Sequence, residues 1–323
     1  MTSTLASMPR RWCGPLEVGA IGLGCMPMSW GYSVDEADDG QIRETLHRAI
    51  ELGVTLLDTA DVYGPYTNEE IIGRFVVAEG LRDRVQIATK VGLTPIDTTT
   101  YGRDGSPEHV RSACDASLRR LGVEEIDLYQ LHRIDPQVPV EETWGAMADL
   151  VATGKVRFLG MSEVAVEEIQ RAATVHPVAA VQCEVSIWTR DNIDNGVVGY
   201  CEESGIGILA YSPLGRGFLT GSLTADQIKE GDFRSANPRF TTEAMQANTA
   251  IVDGVKAIAQ RHGATSAQIA LAWVLAQGEH VVPIPGTKRP HWVEQNAAAV
   301  DVELTTADLA QIEDLPASVA PRY

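Results

Sequence analysis

Basic residues are scarce in this chain: 26 lysines and arginines stand against 44 aspartates and glutamates among 323 residues, a net charge of -18. A general nucleic-acid binder needs a basic face to neutralise phosphates, so that class is excluded. Any anionic ligand must find a local cationic pocket. Cysteine is sparse as well. Cys13, Cys25, Cys114, Cys183 and Cys201 are scattered, odd in number and without a C-x-x-C pair. That argues against a disulfide framework and a zinc site, and for a reducing cytoplasm. No charged segment followed by an apolar signal core opens the chain. The stretch "VGAIGLGCMPMSWGYSV", residues 18–34, lacks charge but is broken by Gly19, Gly22, Gly24, Pro27 and Gly31, so it makes a poor membrane helix. The seven histidines show neither H-E-x-x-H nor Cys/His ligand spacing, so no metal is indicated. The G-x-G-x-x-G of an open dinucleotide-binding sheet is missing too: Gly22-Leu23-Gly24 runs into Cys25, Met26 and Pro27.

What is present is ample apolar material, 44% of residues, in a regular order. Short apolar runs bounded by Gly, Asp or Thr alternate with amphipathic stretches. The strands read as "AIGLGCM" from 20, "VTLLDTA" from 54, "VQIATK" from 85, "IDLYQLH" from 126, "VRFLGMS" from 156, "VAAVQCE" from 178, "IGILAYS" from 206 and "HVVPIPG" from 280. Helical patterns lie between them, such as "DGQIRETLHRAIELG" and "SPEHVRSACDASLRRLG". The second opens with Ser106 as N-cap and Pro107 at the first helical position, and closes on Gly122. "VEETWGAMADLVATG" and "SAQIALAWVLAQG" also run into glycine. Eight strand-helix units favour an α/β fold of the closed (β/α)8 type, in one domain over 1–323. The interval between the last two strands is much the longest and carries a polar stretch rich in Gly, Pro and Asn. Residues 222–243 are therefore expected to form a lid at the barrel rim.

In such a barrel the C-terminal strand ends build the site. Here they are Asp58, Lys90, His132, Ser162, Gln182 and Tyr211, polar or hydrogen-bonding one after another. Any one alone would be a turn former or a solvated rim group; jointly they describe a converging site. Lys90 has three possible duties: Schiff-base nucleophile, phosphate ligand, or a charge that tunes a neighbour. Asp58 on the adjacent strand end would keep it protonated, which points to tuning. The neighbour is Tyr63 in "TLLDTADVYG". A charge pair at ~4 Å and an effective dielectric of ~20 is worth roughly 4 kcal/mol, enough to lower a tyrosine pKa by up to about three units. Tyr63 would then serve as general acid for a carbonyl, with His132 orienting the carbonyl oxygen. With an acid but no metal and no nucleophile, a nicotinamide hydride is the natural electron source.

These residues make the chain similar to the aldo-keto reductase superfamily over nearly its whole length. "GVTLLDTADVYG" resembles the family's first signature, "DLYQLHRID" its histidine strand and "PIPGTKRPHWVEQN" its cofactor-tail segment. The resemblance implies a (β/α)8 barrel with an N-terminal β-hairpin cap, matched to "GPLEVGAIGLG". It also implies NADPH-dependent reduction of aldehydes and ketones, and a catalytic tetrad of Asp58, Tyr63, Lys90 and His132. By the same resemblance Tyr211 stacks on the nicotinamide while Ser162, Glu163 and Gln182 lie at its carboxamide. Ser212, Leu214 and Gly217 follow the pyrophosphate, and Gly286, Thr287, Lys288, Arg289, Gln295 and Asn296 receive the adenosine end. Glu163 stands where many members have Asn, as in the branch similar to pyridoxal-reductase-like and plant auxin-induced enzymes. Trp292 stands where many have Arg, which leaves a 2'-phosphate to Lys288 and Arg289.

Trp30, Tyr63, His132 and Trp188 are the candidate substrate contacts, with Met28, Tyr32 and Tyr101 as further lining of an apolar cup. The implied partner is a small carbonyl compound, with no nucleic acid and no membrane. Two other functions are compatible with the barrel: a cofactor-sensing, partner-binding protein resembling potassium-channel β subunits, and a Schiff-base aldolase. The intact tetrad and the absence of an added domain or large exposed apolar run weigh against the first. Pairing of Lys90 with Asp58 weighs against the second.

Overall fold

The computed structural model describes residues 8–32, 38–96, 101–229 and 231–322. It opens with an antiparallel hairpin, β1 (Arg10–Cys13) and β2 (Leu16–Gly19), in which Arg10 faces Gly19 and Cys13 faces Leu16. The turn is Gly14-Pro15. Gly14 has φ +59, and a Cβ there would lie 2.1 Å from the Ala179 carbonyl oxygen, so the turn is pressed onto the barrel where only glycine fits. The hairpin therefore begins earlier in the chain than "GPLEVGAIGLG" suggested. Arg11 fastens it by donating to the carbonyls of Leu275, Gly278 and Val281.

The eight expected strands all form: β3 (Leu23–Gly24), β4 (Leu56–Asp58), β5 (Gln86–Val91), β8 (Ile126–Leu131), β9 (Val156–Ser162), β10 (Ala180–Glu184), β11 (Gly207–Tyr211) and β12 (Val281–Pro283). They pair in parallel in that order. The ring closes because Gly22 N–H donates to Pro283 O at 3.0 Å and Gly24 N–H to Pro285 O at 3.2 Å, with a parallel bridge between Gly24 and Gly286. This is a closed (β/α)8 barrel. Between β5 and β8 lies a second small hairpin, β6 (Leu93–Pro95) with β7 (Tyr101–Arg103), which is not among the eight strands expected from the sequence.

Helices α1 (Asp39–Glu51), α2 (Thr67–Ile72), α3 (Pro107–Leu121), α4 (Val140–Ala152), α5 (Val166–Ala173), α6 (Asp191–Asp194) and α7 (Val197–Glu203) follow successive strands. After β11 come α8 (Thr242–Ala247), α9 (Thr249–His262) and α10 (Ser266–Leu275), then α11 (Pro290–Ala297) and α12 (Thr306–Glu313) after β12. Local chemistry sets their ends. Asp38 accepts from Gln41 N–H at the start of α1, and Ser106 accepts from His109 N–H before Pro107 at the start of α3. Gly122 ends α3 at φ +70, as expected. The α1 residues Ile42, Leu46, Ala49 and Ile50 recur at helical spacing and are all buried, the stripe that docks this helix on the sheet.

Burial comes in two layers. Inside the barrel Leu56, Ala88, Leu128, Ala180, Leu209, Val282 and Ile284 pack on Leu16 and Val18, so the hairpin plugs the lower end. Outside it, Ile87, Tyr129 and Leu159 point to the helices. With the lower end filled, the strand ends above the plug are where polar side chains can meet a ligand.

Candidate active site

Asp58 ends β4, Lys90 lies in the last turn of pleat of β5, and His132 follows β8 by one residue. Lys90 is fully buried, yet its ammonium is satisfied: Nζ donates to Asp58 Oδ2 at 2.8 Å, Thr59 O at 2.8 Å and Tyr63 Oη at 3.2 Å. The other carboxylate oxygen, Asp58 Oδ1, accepts from Gln182 Nε2 at 2.7 Å and from Gln130 Nε2 at 3.3 Å. A buried ion pair is tolerated only when its remaining hydrogen-bonding capacity is filled in this way. The His132 ring meets Tyr63 edge-on at 5.9 Å. The four residues that the sequence placed on three strands and a turn are thus one connected group.

Electrostatics modify one expectation. Burial pushes the Tyr63 hydroxyl above its ordinary value; Lys90 pulls it down and Asp58 pushes it up again, and the net direction is upward. The lowering expected from Lys90 alone is outweighed by desolvation. Burial also pulls on Lys90, but Asp58 and Tyr63 outweigh it and hold the ammonium above its usual range. Burial, with Lys90 and Arg133 nearby, drives His132 well below the ordinary imidazole value, so it is neutral. Its Nδ1 is sealed from solvent without a partner among the described residues, and Nε2 is the nitrogen left with access to the cleft. Asp61 stands behind this group. Burial, with Glu69 adding and Arg120 opposing, pushes its carboxyl up to about 8.

A cleft of about 940 Å³ runs from Tyr63 and His132 over Ser162, Gln182 and Tyr211 to Gln295 and Asn296. Ser212, Leu214 and Gly217 lie along it, and Gly286, Thr287, Lys288 and Arg289 line its far end, at the start of α11. The donor set suits a nicotinamide cofactor. Gln182 gives its amide nitrogen to Asp58, which fixes the amide orientation and leaves its carbonyl oxygen as an acceptor on a residue that lines the cleft. The Ser162 hydroxyl accepts from Arg133 Nη1 at 3.0 Å and so keeps its own proton to donate. At the far end, α11 presents its N-terminal N–H groups beside two bases, a setting that favours an anion.

The substrate cup is aromatic. Trp30 stacks on Tyr63 at 5.5 Å and meets Tyr101 edge-on at 5.5 Å, with Met26, Val62 and Leu93 beside them. The long excursion after β11 crosses this cup. Phe233 N–H donates to Gly31 O at 2.9 Å, its ring lies 6.3 Å from Trp30, and Ser222, Leu223, Gln227 and Arg234 also line the cleft.

Two site residues read from the sequence are not brought to the cleft. Trp188 is buried against Phe218 at 4.2 Å and edge-on to Phe240 at 5.5 Å, under Arg239, so it is core beneath the excursion. Glu163, at φ +54, turns away: its carboxylate pairs with Arg322 and accepts from Glu184 N–H at 2.9 Å. Met28 is likewise buried. Conversely, Arg133, Arg216, Phe233 and Arg234 line the cleft and were not singled out. Arg133 is adjacent to His132 in "QLHRID", a signal that was available. The two other arginines sit in irregular segments with no periodicity to orient them.

A closed parallel barrel whose strand ends join a buried Asp-Lys-Tyr relay to a neutral histidine, beside a cleft of about 940 Å³, defines a barrel oxidoreductase. The chain belongs to the aldo/keto reductase family, whose model matches residues 20–317. Family members act on carbonyl compounds as oxidoreductases and generally use nicotinamide cofactors. Among solved structures it is similar to the glycerol dehydrogenase AKR11B4 from Gluconobacter oxydans, at 30% identity and TM-score 0.85, covering 96% of this chain and 95% of that one. It is also similar to the thermostable aldo-keto reductase Tm1743, solved with the inhibitor epalrestat, at 28% identity and TM-score 0.77, covering 96% and 100%. The holo form of aldo-keto reductase AKR11C1 from Bacillus halodurans matches at 25% identity and TM-score 0.77, covering 98% of each. No helix among the described residues is long and apolar enough to cross a membrane.

Proposed function

We propose that this protein is an NADPH-dependent carbonyl reductase of the cytoplasm, in which the whole chain works as one domain and Tyr63 is the proton donor. The observation that carries the reading is the Lys90 ammonium, which touches both Asp58 and the Tyr63 hydroxyl inside the barrel mouth. A nicotinamide held in the cleft would supply the hydride. The protein's part is to hold the carbonyl and deliver a proton. With Nδ1 unpartnered, the favoured tautomer of neutral His132 carries its proton on Nε2, where it donates to the carbonyl oxygen and draws it toward Tyr63. As the carbonyl carbon gains the hydride, the Tyr63 Oη–H bond breaks and the proton passes to the developing alkoxide. The phenolate left behind is stabilised by Lys90, whose charge Asp58 maintains. Trp30 closes over the reacting centre and excludes water. Ser162, Gln182 and Tyr211 would hold the nicotinamide end of the cofactor, and Lys288 and Arg289 would take a 2'-phosphate.

Tyr63→Phe keeps the ring and its stacking on Trp30 while removing the transferable proton. Carbonyl reduction should fall by about 10²-fold to 10⁴-fold, with cofactor affinity nearly unchanged. Near-normal turnover in that variant would sink the assignment. Because the relay acts as a unit, combining it with Lys90→Met should cost little more than either change alone.

A further inference from the structure

Arg133 lines the cleft immediately beyond His132 and is half-buried. One of its nitrogens is committed: Nη1 donates to His132 O at 2.6 Å and to Ser162 Oγ at 3.0 Å. These bonds fix the guanidinium across the ends of β8 and β9. Its Nε and Nη2 meet no acceptor among the described residues, and no carboxylate among those residues lies within 4 Å of it. The two other arginines near the cup differ. Arg216 faces Glu184 at 3.3 Å and Arg234 faces Asp232 at 2.6 Å, so their charge is already answered inside the protein. A chain with an excess of 18 negative charges has thus kept a partly desolvated cation, with no counter-charge among the described residues, beside the reacting group. Such a group is costly unless a ligand brings the anion. Its free edge belongs to a planar fork, the shape that matches two oxygens of a carboxylate or phosphate.

We propose that Arg133 binds an oxyanion on the carbonyl substrate, so that the preferred substrates are aldehydes or ketones carrying a carboxylate or phosphate near the carbonyl. The apolar remainder of such a molecule lies against Trp30, Leu93 and Tyr101. The inference rests on the carbonyl reductase reading and adds the substrate class to it.

The test compares charged and neutral members of matched pairs: 2-carboxybenzaldehyde with its methyl ester, and glyceraldehyde 3-phosphate with glyceraldehyde. In the wild type, kcat/KM for the charged member of at least one pair should exceed that of its neutral partner by about 10-fold or more. Arg133→Met should lower this ratio by roughly 10-fold to 100-fold, chiefly through KM, and Arg133→Lys should retain part of the preference. A response confined to the first pair assigns the oxyanion as carboxylate, and one confined to the second as phosphate. Wild-type ratios at or below one in both pairs would overturn the inference. So would equal losses for both members in Arg133→Met, which would make Arg133 a support for Ser162 and the cofactor. Turnover of neutral members without preference sinks this inference alone, whereas no turnover of any member sinks the reductase reading and this inference with it.

Discussion

Tyr63 is neutral across the physiological range because burial outweighs the pull of Lys90, and this has a direction in each sense of the reaction. Reduction needs the protonated phenol, so its rate should hold through neutral pH and fall only above the ordinary tyrosine value of ~10. Alcohol oxidation needs the phenolate and should rise with pH. Lys90→Met removes the cation that opposes burial, so the limb of oxidation should move to still higher pH; profiles of kcat/KM in both directions would show it. Asp61 offers a second residue-scale prediction. Its carboxyl is neutral in the fold up to about 8, whereas the unfolded chain ionises near ~4, so stability falls as pH rises between those values and levels off above them. Asp61→Asn cannot ionise and should flatten that stretch, with a gain at pH 8 on the order of 3–5 kcal/mol in denaturant unfolding. An unchanged slope would count against a neutral Asp61. The proximity of Asp58, Lys90 and His132 was legible in the sequence because they sit at or next to strand ends, where residue type alone implies direction; Tyr63, in the turn after β4, was placed by its motif. Glu163 and Trp188 were not, because their orientation depends on Arg322 and Phe240, partners far along the chain that no local pattern reveals.

Elements with period and punctuation were also legible. The eight barrel strands and the α3 helix with its Ser106 and Gly122 ends are found where alternation and caps placed them. The β6–β7 hairpin escaped because its segment, "LTPIDTTTYGR", carries Pro95 and a polar run, and because, among the described residues, its strands pair only with each other. The excursion after β11 was recognised by length and composition, and its contacts give the expectation content. Phe233 and Arg234 lie over Trp30 and Tyr32, and the backbone hydrogen bond from Phe233 to Gly31 joins the two loops in this contact. A segment lying over a cleft in this way can close on a bound ligand. Adding NADPH should therefore slow hydrogen exchange in residues 222–243. Unchanged exchange there, with protection arising elsewhere, would remove the lid from the account.

At the scale of the whole molecule the charge of -18 sets the coenzyme question. A 2'-phosphate would be repelled unless cations stand close, and Lys288 and Arg289 line the far end of the cleft at the start of α11. Replacing both by Ala should weaken NADPH binding by roughly 10-fold to several hundred-fold and leave NADH almost unaffected. Equal losses, or a wild type that prefers NADH, would show that Trp292 marks a change of preference. The same end of the cleft has a mechanical meaning. The barrel is a hoop whose ends join where two-residue β3, the shortest stave in the ring, meets three-residue β12, and Gly24 and Gly286 at that joint both face the cleft. A molecule lying there spans the two ends of the chain's own sheet like a buckle across a belt. Occupancy would then tighten the hoop itself, and the first and last strands, far apart in sequence, would come loose together or not at all.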